Sequence, residues 1–110
     1  MLPRINRLTK KADFENVRQS GKYIATSKLF TVSYTKTEKE APRFGFIVSK
    51  KISLKAHIRN KIKRMLREII HENLTNIKPG QDFVIVAKPG IVGTSRDKIK
   101  AELENVIKTI

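Results

Sequence analysis

The order of apolar and polar residues along the chain predicts three helices and four strands. Apolar residues recur with the helical period in three segments, which predicts helices at about residues 10–20, at about residues 56–76, and from about residue 95 to the end. Alternating or continuous apolar residues predict strands at residues 29–35, 43–49 and 82–87, with a weaker fourth at 22–25. The order α-β-β-β-α-β-α predicts an α+β fold, in which helices pack on a small mixed sheet.

Strand pairing and helix ends follow from the same pattern. Residues 82–87 are apolar at nearly every position, which is typical of a strand buried on both faces, so we expect this strand at the centre of the sheet. The strand at 43–49 is expected to run antiparallel to the one at 29–35. Thr9 is a candidate cap for the first helix, and Gly21 is a candidate for a left-handed residue at its end.

The helix predicted near residues 56–76 carries the most informative charge pattern. Residues 41–67 contain no acidic residue and nine basic ones. At about 100° per residue, one arc of the helix collects Ile58, Ile62, Met65, Leu66 and Ile69, and the opposite arc collects Arg59, Asn60, Lys63, Arg64 and Arg67. A solvated helix face normally mixes signs, because like charges four residues apart destabilise a helix by about 0.2–0.5 kcal/mol per pair. This unmixed face therefore predicts binding to a polyanion.

Composition narrows the class of protein. The 110 residues suit a single domain, residues 1–110, and Lys plus Arg outnumber Asp plus Glu by 24 to 10, for a net charge of +14. Such an excess repels itself in the folded state, and it indicates an anionic partner. The chain has no cysteine, no apolar run long enough to span a bilayer, and two isolated histidines, His57 and His71. A thiolate or histidine metal site is therefore not expected.

Composition permits one other function equally well, and the sequence disfavours two more. A ribosomal or other structural RNA-binding protein would have the same charge pattern. A small nuclease acting alone would need clustered carboxylates or a histidine pair, and the ten acidic residues are scattered along the sequence. A membrane-surface helix would place aromatic residues on its apolar face, and the basic helix has none there.

Several segments together resemble one protein family. Residues 58–68, Ile-Arg-Asn-Lys-Ile-Lys-Arg-Met-Leu-Arg-Glu, resemble the signature of the bacterial ribonuclease P protein subunit, in which Arg-Asn-Arg begins a basic amphipathic helix that ends in Arg-Glu. Residues 7–14, 43–52 and 82–89 resemble that family's N-terminal element, the strand before its basic loop, and its late central strand. The resemblance thus extends over most of the chain.

The resemblance implies an activity for a complex. In that family a large RNA with bound Mg²⁺ is the catalyst, and the protein is not catalytic alone. The complex removes the 5′ leader from precursor tRNA, and we expect it to act in the cytoplasm with one protein bound to each RNA. We expect Mg²⁺ to be held mainly by the RNA, with no tightly bound metal on the protein and no membrane partner. The family fold also implies a left-handed β-α-β crossover around the long helix.

Site residues follow partly from the charge pattern and partly from the resemblance. The helix and the loop before it are expected to bind the catalytic RNA through Lys50, Lys51, Lys55, Arg59, Asn60, Lys61, Lys63, Arg64 and Arg67. A cleft between the first helix and the sheet is expected to bind the single-stranded leader through Phe14, Arg18, Phe30 and Tyr34. Core packing is the alternative for the aromatic residues, and it is the better one for Phe30.

Two positions depart from the family pattern. The third residue of the signature is usually Arg and is Lys61 here, so the charge is kept without the forked geometry of a guanidinium. One turn after Phe14 the family commonly has an aromatic residue, and here Arg18 stands there, so that a phosphate contact would replace a stacking contact.

Overall fold

The helices and strands follow the predicted order. The structure, a computed structural model, describes residues 2–109, except for the side chains of residues 24–26. Within that range it contains, in chain order, α1 (Lys11–Ser20), β1 (Lys22–Thr26), β2 (Phe30–Lys36), β3 (Arg43–Ile47), α2 (Ala56–Glu72), β4 (Gln81–Ala87) and α3 (Arg96–Thr109). The predicted α+β class is confirmed. The long helix ends four residues earlier than predicted, because residues 74–76 form a separate 3₁₀ turn.

The four strands form one mixed sheet in the order β1-β2-β4-β3. Strand β4 is central, as its apolar sequence predicts, and it pairs antiparallel with β2 and parallel with β3. Strand β3 runs antiparallel to β2, as predicted, but the two strands are not neighbours, because β4 lies between them. The connection through α2 returns the chain in the direction of β3, so β4 adds in parallel and buries both of its apolar faces.

The two faces of the sheet are covered differently. Helices α2 and α3 cover one face, where Phe30, Phe83, Ile85, Leu66 and Leu103 belong to the main hydrophobic core. The other face carries α1 and a much smaller cluster of buried residues, formed by Leu8, Val17 and Val84. A short helix on a small cluster leaves part of this second face uncovered.

Close backbone contacts, more than capping, hold α1 in place. Thr9 does not cap the helix, which begins after Lys10 without a side-chain cap. Gly21 has an extended backbone with φ of −77°, so the expected left-handed conformation is wrong. A Cβ at this position would clash with the carbonyl oxygen of Val17 and would approach that of Tyr34 to 2.8 Å. Glycine is needed here for close approach between the helix end and β2.

One arginine ties α1 to the sheet. The guanidinium of Arg43 donates two hydrogen bonds to the carboxylate of Asp82, of 2.8 Å from Nε and 2.6 Å from Nη2. Its Nη1 donates a third, of 3.3 Å, to Asp13 on α1. The Asp82 side chain is 4% exposed, and its hydrogen bonds raise the pKa of Arg43. The network thus joins α1, β3 and β4 at one end of the sheet.

Candidate nucleic-acid interface

Helix α2 separates apolar from basic residues as its sequence predicts. Ile62, Leu66, Ile69 and Ile70 are buried, which fixes the opposite side of the helix toward solvent. On that side Asn60, Lys61 and Arg64 are exposed, and Arg59, Lys63 and Arg67 are half-buried, with their charged groups on long side chains. Lys50, Lys51 and Lys55 are exposed in the preceding loop. We call these nine residues the basic face.

The basic face is not neutralised from within the chain. Across the part of the chain that the structure describes, no Lys or Arg of the basic face lies within 4.0 Å of a carboxylate. Four basic residues elsewhere are paired with carboxylates, namely Lys11, Arg43, Arg96 and Lys100. The carboxylate of Glu72, at the end of α2, accepts hydrogen bonds from Arg96 at 2.7 Å and from Lys100 at 3.0 Å. Both bonds lower the pKa of the Glu72 carboxyl, and the bond from Lys100 has the larger effect. The positive charge is thus left uncompensated on the basic face.

The loop before α2 is ordered by short-range hydrogen bonds. The amide of Ile52 donates to the carbonyl of Ser49 at 3.0 Å, and the amide of Lys55 donates to the hydroxyl of Ser53 at 3.2 Å. Arg59 then reaches back from α2 and donates through Nη1 to the carbonyl of Ser53 at 2.8 Å. This bond holds the loop lysines next to the first turns of the helix, so that loop and helix present one surface.

The first turn of α2 lacks the usual stabilising groups. Lys55 occupies the cap position without a side-chain hydrogen bond, and the first turn contains no acidic residue. Acidic side chains stabilise this end of a helix, because the free amide groups there carry partial positive charge. Glu68 and Glu72 lie instead toward the other end of α2. The charges of α2 are therefore arranged against the helix dipole.

A second candidate surface lies between α1 and the sheet. The cleft has a volume of about 550 Å³, and its walls include Arg18, Tyr23, Thr31, Ser33, Val84 and Lys88. Arg18 is therefore where the sequence predicts it. Residues Thr31 and Ser33 of β2 alternate with the core residues Phe30 and Val32, which places their hydroxyl groups on the side of α1. The cleft is positively charged at Arg18 and Lys88 and polar along β2.

The aromatic residues predicted for this cleft lie elsewhere. Phe30 is 1% exposed in the main core, so its assignment to a binding cleft is wrong. Tyr34 packs against the same core and stacks on Phe83, with ring centroids 6.3 Å apart, so it too lies on the face opposite α1. The reason is the alternation along β2, which sends its large side chains to the thicker hydrophobic layer.

The side chain of Phe14, on α1, packs against the sheet within the protein. Its ring contacts the small cluster of Leu8, Val17 and Val84, and a Cβ at Gly45 of β3 would overlap the ring. Phe14 is half-buried and is not among the residues that line the cleft. Gly45 therefore serves a contact within the protein, and β3 pairs with β4 through it without a bulge.

Substitutions at this contact are expected to be coupled. Phe14→Ala should lower the free energy of unfolding by about 2–3 kcal/mol, below the range of a fully buried phenylalanine because the ring is half-buried. Gly45→Ala should also destabilise, because its methyl group meets the ring. The double variant should be more stable than the sum predicts, since removal of the ring makes room for the methyl group. Urea unfolding of the four proteins measures this, and strict additivity would contradict the contact.

Tyr23 was missed by the sequence analysis. It lies on β1, whose pattern predicts a strand only weakly, and its side chain is 75% exposed. All other aromatic side chains of the chain are buried or half-buried. The available signal was an aromatic residue next to Lys22 in the weakly predicted strand, two residues after Gly21.

Two kinds of feature, a cluster of metal ligands and a membrane-spanning helix, are absent from the described residues. In the part of the chain that the structure covers, no group of three or more His, Cys, Asp or Glu side chains is placed to hold a metal ion. Within the same residues, no helix is long and apolar enough to cross a membrane. The carboxylates of Asp13, Asp82 and Glu72 are already engaged by arginine or lysine.

Comparison with known proteins identifies the family of the chain. A protein-family model described as Ribonuclease P matches residues 2–110. The ribonuclease P protein component of Microcystis aeruginosa is 36% identical over 109 residues, which cover 96% of this chain and 91% of the relative. That of Bacillus cereus strain Q1 is 37% identical over 103 residues, covering 94% and 89%.

Solved structures give the same result. The RNase P protein of Staphylococcus aureus is 30% identical and superimposes with a TM-score of 0.85 over 94% of both chains. The RNase P protein of Thermotoga maritima is also 30% identical, with a TM-score of 0.85 over 94% of this chain and 96% of its own. The chain belongs to the ribonuclease P protein family, whose members are protein subunits of a ribonucleoprotein endonuclease.

Proposed function

We propose that the chain binds the catalytic RNA of ribonuclease P through its basic face and the 5′ leader of precursor tRNA through the cleft beside α1. In this way it assists endonucleolytic removal of the leader. The observation that carries the proposal is the basic face, which is continuous from the loop into α2 and unpaired with any carboxylate of the described residues. The ribosomal or structural alternative has no support in the comparisons.

The basic face suits a folded RNA. Its arginines can donate two parallel hydrogen bonds to one phosphate, and its lysines act as mobile point charges. Asn60 is exposed among them and can donate to a phosphate or exchange hydrogen bonds with a base edge. Because the apolar side of α2 is occupied by the core, the RNA can bind here without competing with folding.

The cleft suits a single strand. Arg18 and Lys88 can neutralise phosphates, and the hydroxyl groups of Thr31 and Ser33 can form hydrogen bonds with bases or sugars. Single-stranded RNA is typically bound by a positive groove with surfaces on which bases stack. The precursor of a tRNA differs from the mature form by such a single-stranded leader, so a cleft of this kind would distinguish the two.

The chemistry of cleavage is proposed to belong to the RNA. Phosphodiester hydrolysis commonly uses bound Mg²⁺, and among the described residues no group of three or more His, Cys, Asp or Glu side chains is placed to hold a metal ion. We propose that Mg²⁺ is held mainly by the RNA, that one protein binds one RNA, and that the complex works in the bacterial cytoplasm, where precursor tRNA is made.

A reconstitution experiment tests the proposal. The purified chain, the cognate catalytic RNA, and both together are incubated with precursor tRNA and Mg²⁺, and release of the leader is followed over time. We expect no cleavage by the protein alone, and faster cleavage with both components than with RNA alone at limiting Mg²⁺. Cleavage by the protein alone would overturn the division of roles, and no effect of the protein would overturn its assistance.

Replacing Lys61 by arginine, the usual residue of the family at this position, is expected to keep or raise the affinity for RNA. In Lys61→Arg, a forked guanidinium replaces a point charge at an exposed position of the basic face, so affinity for the catalytic RNA is expected to stay equal or to rise. Titration of both proteins against the RNA at the same salt concentration measures this, with Lys61→Gln as the charge-removing control. A marked loss of affinity in Lys61→Arg would show that the ammonium group has a contact that a guanidinium cannot make.

A further inference from the structure

Tyr23 combines three properties that no other aromatic residue of the chain shares. Its ring is 75% exposed, it lines the cleft beside α1, and it belongs to an edge strand, where one side of the backbone is free. A large aromatic side chain exposed to this extent loses hydrophobic stabilisation, so its contribution to folding is small. Its position therefore points to a contact with another molecule.

The strand register fixes where Tyr23 lies in the cleft. Tyr23 is paired with Ser33 of β2, and residues directly opposite on antiparallel strands project to the same face of the sheet. Ser33 lies on the face of α1, so Tyr23 projects to that face as well. The register shifts between Tyr23 and Ala25, and such irregularities redirect side chains and are frequent beside binding sites.

The surroundings of Tyr23 fit one nucleotide. Arg18 lies across the cleft on α1 and Lys88 at the end of β4, whereas Glu15 is the only acidic residue among the described residues of the cleft wall. The volume of about 550 Å³ lies within the range of about 300–1,000 Å³ that is typical of small-ligand sites. An exposed ring beside two cations offers a nucleobase a stacking surface and offers its phosphate a counter-charge.

We propose that the ring of Tyr23 is a stacking platform for one unpaired nucleobase of the leader, with Arg18 holding an adjacent phosphate. This inference rests on the proposed function of the cleft and assigns its aromatic contact to β1. Since every base has a π-face, the contact tolerates any base at that position. The contact therefore requires an unpaired base and does not depend on which base it is.

The test combines substitutions at Tyr23 with removal of single bases. Dissociation constants are measured for the complex of the chain and its catalytic RNA with precursor tRNAs in which each leader nucleotide in turn is abasic. With the unaltered chain, we expect one abasic position to weaken binding. Tyr23→Ala should weaken binding of the intact precursor about 5- to 150-fold, which corresponds to about 1–3 kcal/mol per stacked base, and should remove the sensitivity to that abasic position.

Two further variants separate the effect of aromatic stacking from that of apolar volume. Tyr23→Phe keeps the ring and should bind like the unaltered chain, whereas Tyr23→Leu keeps apolar volume and should behave like Tyr23→Ala. All should bind mature tRNA equally. Unchanged abasic sensitivity in Tyr23→Ala would overturn the inference while leaving the leader cleft intact. If the unaltered complex binds precursor and mature tRNA equally, the proposed function of the cleft itself fails.

Discussion

Replacement of Arg59, Lys63 and Arg67 together by alanine is expected to weaken binding of the catalytic RNA about 100-fold. Each lost contact with a phosphate is taken as about 1 kcal/mol, the typical net value of one hydrogen bond. The slope of log affinity against log salt concentration should fall by about 2–3, because each phosphate contact contributes about 0.7–0.9. Titrations of protein into RNA across a range of salt concentrations measure both quantities.

A matched variant separates local contacts from overall charge. Replacement of three lysines of α3 by alanine changes the net charge by the same three units, at Lys98, Lys100 and Lys108. We expect this variant to change the salt slope much less than the triple variant of the basic face does. Thermal unfolding must show that both triple variants are folded, since Arg59 also donates to the carbonyl of Ser53. Equal changes of slope in the two variants would refute the basic face as the specific RNA contact.

Arg43→Ala is expected to lower the free energy of unfolding by about 3–5 kcal/mol. The reason is the carboxylate of Asp82, which is 4% exposed and would remain buried without its two hydrogen bonds from the guanidinium. Such a loss is a large part of the about 5–15 kcal/mol that stabilises a typical protein. Urea unfolding followed by circular dichroism measures it.

Controls for Arg43 come from the same chain. Arg96→Ala removes an arginine that also pairs with a carboxylate, Glu72, but both side chains are more than a third exposed, so we expect a much smaller loss than in Arg43→Ala. Adding Asp82→Asn to Arg43→Ala should restore part of the stability, because the buried charge disappears. Similar losses in Arg43→Ala and Arg96→Ala would show that burial of the Asp82 pair does not determine its contribution.

Local sequence patterns were sufficient to predict the order of helices and strands and the position of the basic residues on α2. The periodicity of α2 places its apolar residues in the core, and this alone directs Arg59, Lys63 and Arg67 to the other side. The apolar run of β4 likewise places it at the centre of the sheet. In each case the property that decides the position is contained in one short segment.

Pairings between distant segments could not be derived in the same way. Whether β3 pairs with β2 or with β4 depends on how the chain crosses over through α2, and no residue of β3 encodes that choice. The alternation of β2 separates Phe30 and Tyr34 from Thr31 and Ser33, but it does not say which set faces α1. The predicted cleft therefore included aromatic residues that do not line it and omitted Tyr23.

Gly21 shows a further limit of local rules. A glycine after a helix usually predicts a left-handed residue, and here the backbone is extended. Its small size is required by the carbonyl oxygens of Val17 and Tyr34. Since Tyr34 belongs to another element, the reason for this glycine exists only in the folded chain.

The uncapped, acid-free first turn of α2 links folding to binding. In the free protein, Lys55 and Arg59 stand beside amide groups of the same sign of partial charge, so this turn is intrinsically less stable than the rest of the helix. A bound polyanion removes the repulsion. By thermodynamic linkage, an RNA that binds the helical form of this turn stabilises that form against unfolding. The same coupling makes the stability of this segment a function of the concentration of its RNA.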